Sequence, residues 1–153
     1  MTVTITPQNM QEVQKALREY GEKAVRAIGD AVQASALEIT TDIKKRVQHG
    51  PATGRTYTRG EITHRASAPG EAPATDGSGD NSVGLASSIN YSMKGKLSAE
   101  IESRAPYAVW LEFGTEMNGE QHIAPRPSWV PAVEAGTPKF QLRITTAIAR
   151  LSR

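Results

Sequence analysis

Sixteen carboxylates, three histidines and no cysteine bound the chemistry open to this chain. Without cysteine there are no disulfides, thiolate metal sites or cysteine nucleophiles. His49, His64 and His122 fall at an expected helix end and in two expected loops, and none has an i,i+4 histidine partner for a local metal motif. Gly77-Ser-Gly79 lacks the third glycine, the lysine and the preceding strand of a phosphate loop, and neither HExxH nor GxSxG occurs. Glu100 and Glu102 share a strand face, as an acid–base pair would, but alternation sets them opposite the apolar residues and hence in solvent. The sequence thus predicts no catalytic residue, no cofactor and no metal. The carboxylate that stands out is Glu112, between Leu111 and Phe113. It is either the exposed side of a short helix or the partner of Arg126, within the subunit or across an interface. Pro125 and Pro127 stiffen the backbone around Arg126, and a planar guanidinium suits a partly buried carboxylate. Trp110 and Trp129 are few enough among the large apolar residues that at least one is expected at an interface.

The elements that must position these groups fall into three stretches. In residues 1–49, Thr2-Val-Thr-Ile-Thr6 could add a short strand, and Thr6-Pro7 reads as an N-cap and N1 pair. Met10, Val13, Leu17 and Tyr20, then Val25, Ile28, Val32, Ala36, Ile39, Ile43 and Val47, recur at helical spacing and predict one long helix with a narrow apolar stripe. Gly21 predicts a bend, since glycine costs a helix about 1 kcal/mol relative to alanine. Lys44, Lys45 and Arg46, followed by Gly50 and Pro51, mark the helix end. Residues 50–80 hold one member of the Leu/Ile/Val/Phe set, Ile62, among six Gly, three Pro and seven Ser or Thr. Such a stretch cannot offset its own ordering entropy of roughly 1–2 kcal/mol per residue, so it is a surface loop or an arm that orders on a partner. Thr56-Tyr-Thr58 and Glu61-Ile-Thr63, around Arg59-Gly60, predict a marginal hairpin within it. Tyr57, Arg59 and Ile62 are its expected interface residues.

In the third stretch, 85–93 and 97–103 alternate about Lys94-Gly95-Lys96 and predict a β-hairpin. Pro106 to Gly114 reads as a short helix rather than an extended segment, a second short helix starts at Pro127 or else at Pro131, and Thr137-Pro138 starts a last one along Phe140, Ile144, Ile148 and Leu151. The expected fold is α+β in a single domain, residues 1–153. A long N-terminal helix and a C-terminal helix pack on a small antiparallel sheet, and 50–80 forms a long extended loop. Leu, Ile, Val and Phe make 28 of 153 residues with a net charge of +2, which predicts a folded chain whose small core neighbouring subunits complete. No apolar run approaches the ~18 residues of a membrane span, and the N-terminus has no signal-peptide pattern. Basic and acidic residues interleave everywhere, with no Lys/Arg stripe carrying aromatics. That argues against sequence-specific nucleic-acid recognition and leaves only weak, salt-sensitive attraction to DNA.

Four elements then follow in one order: Ser67-Ala-Pro-Gly-Glu-Ala-Pro-Ala74, Ser87-Ser-Ile89, Tyr107-Ala-Val-Trp-Leu-Glu-Phe-Gly-Thr115, and Ala124-Pro-Arg-Pro127 with Pro131-Ala132. This succession, over roughly 50–136, resembles the minor tail, or neck and tail-completion, proteins of tailed bacteriophages. There a Glu-x-Gly-Thr element, matched by Glu112 to Thr115, precedes an Ala-Arg-Pro element and a Pro-Ala helix. The chain departs from that pattern in Pro125, in Ser128-Trp129 for the commoner Phe-Leu, and in a longer segment over 76–84. The resemblance implies a non-enzymatic virion protein at the head–tail junction, assembled in the host cytoplasm. It implies a homo-oligomeric, usually six-fold ring that contacts the connector or stopper and the tail-tube or terminator proteins. Genome DNA passes through the lumen of such a ring unread, and Thr115, with Glu112, Arg126 and the tryptophans, falls among the interface residues. A tail terminator capping the tube and, from another class, a small basic DNA-binding module are the alternatives.

Overall fold

The computed structural model describes residues 10–74 and 81–151. The possible strand at Thr2–Thr6 and the Thr6-Pro7 cap lie outside them. Helix α1 runs as one element from Met10 to Gln48, Gly21 included, and at 1.5 Å per residue its 39 residues span about 58 Å. Only its later part meets the rest of the molecule. From Gln11 to Lys23 every described side chain is exposed, Leu17 and Tyr20 included. From Ala31 onward one stripe is buried, ending in Ile43 and Val47, which are fully enclosed.

Against that stripe lie α2 (Asn81–Ser88), the hairpin β3 (Ile89–Gly95) and β4 (Ser98–Ser103), α3 (Ala108–Phe113) and α4 (Trp129–Leu151). Two further hairpins complete the α+β fold: β1 (Thr56–Arg59) with β2 (Ile62–Arg65), and β5 (Thr115–Met117) with β6 (Glu120–Ile123). The antiparallel β structure is therefore three separate two-stranded ribbons, not one sheet. The core is small: Ile43, Val47, Leu85, Ala86, Ile89, Ala108 and Ala132, with Ile101, Leu111 and Trp129 packed against it.

Two expected elements differ. Residues 85–88 are helical, and the strand starts only at Ile89. Leu85, Ala86 and Ile89 are buried together: the i and i+4 positions fit both alternation and a helix, whereas the adjacent Ala86 fits only the helix. The two expected C-terminal helices are one, with Pro138 inside it. An interior proline costs a helix about 3 kcal/mol, and packing against α1 offsets that cost here. Ala132 is buried, Gly136 lies so close to Ile39 that a β-carbon would come within 2.5 Å of it, and Lys139 and Arg143 both reach Glu38. Gly29 has a similar explanation, since the Lys96 carbonyl of the β3–β4 turn would stand 2.6 Å from a β-carbon there.

Candidate assembly surface

Glu112 is buried on the inner side of α3 and is wholly occupied. Its carboxylate accepts backbone N–H bonds from Ser128 (2.8 Å), Trp129 (3.0 Å) and Val130 (2.8 Å). These are orphan donors of the α4 N-terminus, where the helix dipole also favours a negative charge. The side chain thus ties α3 to α4. The expected Glu112–Arg126 pair is not made within the chain. Arg126 donates from its backbone to the Leu111 carbonyl (2.6 Å) and from its guanidinium to the carbonyls of Ser67 and Ala124 (3.4 Å each). Within the subunit each of the two side chains is held by other groups. Trp129 lends its amide to Glu112 and packs against the core, while Thr115 opens β5 with a buried hydroxyl that has no partner among the described residues.

Arg126 is also where the arm is fastened. Ser67 is buried beneath it, the Gly70 amide donates to the Pro125 carbonyl (2.9 Å), and Gly50 bridges Ala74 at the arm's root. Gly54 and Arg55 pair with Ala66, and Arg65 donates to the carbonyls of Thr53 and Gly54 (3.1 Å each). Beyond this stem the β1–β2 ribbon is exposed on both faces, with His64 alone half-buried. Gly60, at φ +64°, makes the turn that a side chain would strain. Register sets Tyr57 opposite His64 and Arg59 opposite Ile62, so these four positions share one face of the ribbon. Tyr57 and His64 stack at 5.3 Å between ring centroids. Of Arg59 only the backbone is described.

On α3, Ala108, Leu111 and Glu112 turn inward while Val109, Trp110 and Phe113 are left 61%, 55% and 68% exposed. Met117 on β5, and Val130 and Val133 on the first turns of α4, extend the exposed apolar surface. Large apolar side chains left exposed together on one short helix, as on α3, mark a candidate interaction site. The structure therefore separates the sequence-predicted residues. Glu112, Arg126 and Trp129 serve the subunit's interior, whereas Tyr57, Ile62 and Trp110 stand in the open.

His64 and His122 lie in strands rather than loops, and among the described residues no group of three or more His, Asp or Glu could hold a metal. Glu100 pairs with Lys94 at 3.3 Å. Among the described residues no helix is long and apolar enough to cross a membrane. Sequence reasoning missed the bond of Glu38 to Lys139 and Arg143 and the close approaches at Gly29 and Gly136. A glycine inside a strong helical pattern was the signal for the last two.

Residues 8–114 match the family described as "Bacteriophage HK97-gp10, putative tail-component". The match spans α1, the arm, the β3–β4 ribbon and α3. No curated protein and no solved structure matches the chain.

Proposed function

This chain belongs to the HK97-gp10-like family of bacteriophage tail components, and from that premise we propose that it is a ring-forming neck or tail-completion subunit joining the tail to the capsid connector. A tail component is a structural part of the virion. The finer reading is a closed homo-oligomer, six-fold as the resemblance implies, seated between the connector or stopper and the tail-tube or terminator proteins. Genome DNA passes through its lumen unread, and the ring does no catalysis. The observation that carries this reading is the β1–β2 ribbon: its stem is held by hydrogen bonds, yet Tyr57 and Ile62 lie in the open on a ribbon both of whose faces are bare. A two-stranded hairpin alone is at best marginally stable in water, so this geometry suits a partner surface.

Light scattering of the purified protein at two salt concentrations, with and without duplex DNA, tests the reading. A stable ring indifferent to DNA is expected. A monomer whose DNA binding falls steeply with salt would instead establish a basic DNA-binding module. Assembly without the chain separates joining from capping. Filled heads and finished tails that fail to join are expected, whereas tails of uncontrolled length would make it the terminator.

A further inference from the structure

The arm needs a surface to land on, and charge and apolar exposure together select one. Residues 105–125 contain three glutamates and neither lysine nor arginine. Glu112 is buried against α4, which leaves Glu116 and Glu120 exposed on the β5–β6 ribbon that follows α3, one on each of its faces. Glu120 stands opposite Met117 in the β5–β6 register, so a carboxylate and an exposed thioether share one face. The arm is the counterpart. Positions 55, 57, 59, 62 and 64 fall on one face of the β1–β2 ribbon, and they are Arg, Tyr, Arg, Ile and His. That face carries Arg55, the exposed Tyr57 and Ile62, and the position of Arg59, and it complements a stretch with two exposed glutamates, no lysine or arginine, and the bare Trp110, Phe113 and Met117. The bare start of α1 shows no such match. Leu17 and Tyr20 on α1 sit among three acidic and three basic residues between positions 11 and 23.

We propose that the β1–β2 arm of one copy docks on the α3/β5–β6 face of the next copy. The contact is head-to-tail, so every copy gives an arm and receives one, and such contacts close into a ring when the rotation allows. Trp110 is the buried centre of the contact, since tryptophan dominates binding energy where it is desolvated, and the Arg–Glu pairs set its orientation. This inference rests on the ring reading above and deepens it by naming the acceptor.

Charge reversal gives a test that separates the two. Wild type is first sized alone, because a monomer at every concentration would defeat the ring reading itself. If wild type is a ring, R55E/R59E and E116K/E120K are each expected to weaken association roughly tenfold or more. An equimolar mixture of the two variants restores both kinds of contact and should reform rings of alternating subunits, and so should the chain carrying all four changes. A wild-type ring unaffected by either reversal, or reversals that no mixture rescues, would overturn the assignment of the acceptor. The chain has no cysteine, so Ile62→Cys and Phe113→Cys report independently. A short bismaleimide should link the two single variants when they are mixed and should link neither to itself. Self-linkage of Ile62→Cys would show a symmetric arm-to-arm contact and reject the proposal, as would no linkage within an intact ring.

Discussion

The β1–β2 and β3–β4 ribbons are built alike and placed differently. Each is an antiparallel pair of short strands joined by a two-residue turn, Gly60-Glu61 in one and Lys96-Leu97 in the other. The β3–β4 ribbon lies against α1: Ile89 is fully buried, Ile101 packs on the core, and the carbonyl of Lys96 rests against Gly29. The β1–β2 ribbon is secured at its stem, and its own Tyr57 and Ile62 are about half exposed. Strand pairing alone is marginal, so burial decides whether a hairpin belongs to the fold or waits for something outside it. By that measure the β3–β4 ribbon belongs to the packed subunit, and the β1–β2 ribbon is left for the proposed arm contact to cover.

The largest expected difference comes from truncating an isoleucine in each ribbon. Ile89→Ala removes a fully enclosed side chain from a core with few large residues and should cost about 2–5 kcal/mol in denaturant unfolding. Ile62→Ala should stay within about 0.5 kcal/mol of wild type in the dissociated subunit while weakening its association. Equal losses of subunit stability at the two positions would erase the distinction between the ribbons.

Glu112 extends the comparison to charged groups. Glu112→Ala leaves the amides of Ser128, Trp129 and Val130 without their acceptor beneath α3, and a loss of roughly 1–3 kcal/mol should follow. Glu112→Gln keeps one acceptor oxygen and should lose less. If both changes fall within about 0.5 kcal/mol of wild type, α4 does not depend on α3 for its cap. Gly136→Ala should cost about 1–2 kcal/mol, because a β-carbon 2.5 Å from Ile39 Cγ1 outweighs the gain in helix propensity. Stabilisation would mean that α1 and α4 can move apart freely.

The helical periodicity of residues 25–47 and the turn chemistry around Gly95 made α1 and the β3–β4 ribbon legible in the sequence, since both signals are local. The arm hairpin was legible for the same reason, from two β-compatible triplets flanking Arg59-Gly60. The stem that holds it was not, because it depends on Ser67 and Gly70 meeting Pro125 and Arg126 across more than fifty residues. Glu112 stood out as unusual, but its partners are backbone amides, which leave no trace in side-chain chemistry. Arg126, an attractive partner by charge, lay close in sequence and was already engaged. The continuity of α4 through Pro138 was hidden because a local rule, that proline ends helices, gave way to tertiary packing on α1. The bare side of α3 was partly legible. Alternatives of exposure for Trp110 and Trp129 could be weighed from the sequence, but which one turns outward follows from the helix register that Glu112 and Leu111 fix.

The smallest effect concerns the bond between the two long helices. Glu38 on α1 accepts from Lys139 Nζ at 2.7 Å and from Arg143, whose guanidinium also reaches Ser35 Oγ at 3.2 Å. The hydrogen bond from Lys139, then that from Arg143, holds its carboxyl below the ordinary glutamate value of 4.5, against an opposing effect of desolvation. A carboxyl whose pKa is lower in the folded state binds its proton more weakly there than in the unfolded chain. Its contribution to stability is therefore complete above the unfolded value and is lost as pH falls through that value and then the lower folded one. Comparing wild type with Glu38→Gln by denaturant unfolding, wild type should be the more stable at neutral pH, and the gap should close on acidification below about pH 4. The three side chains are partly exposed, so added salt should narrow the gap at neutral pH as well. Amide protection in residues 56–65 should not change between the two proteins, because the arm takes no part in this contact. A gap that widens in acid, or arm protection that falls with Glu38→Gln, would mean that the α1–α4 seam and the arm are coupled rather than separate parts of the subunit.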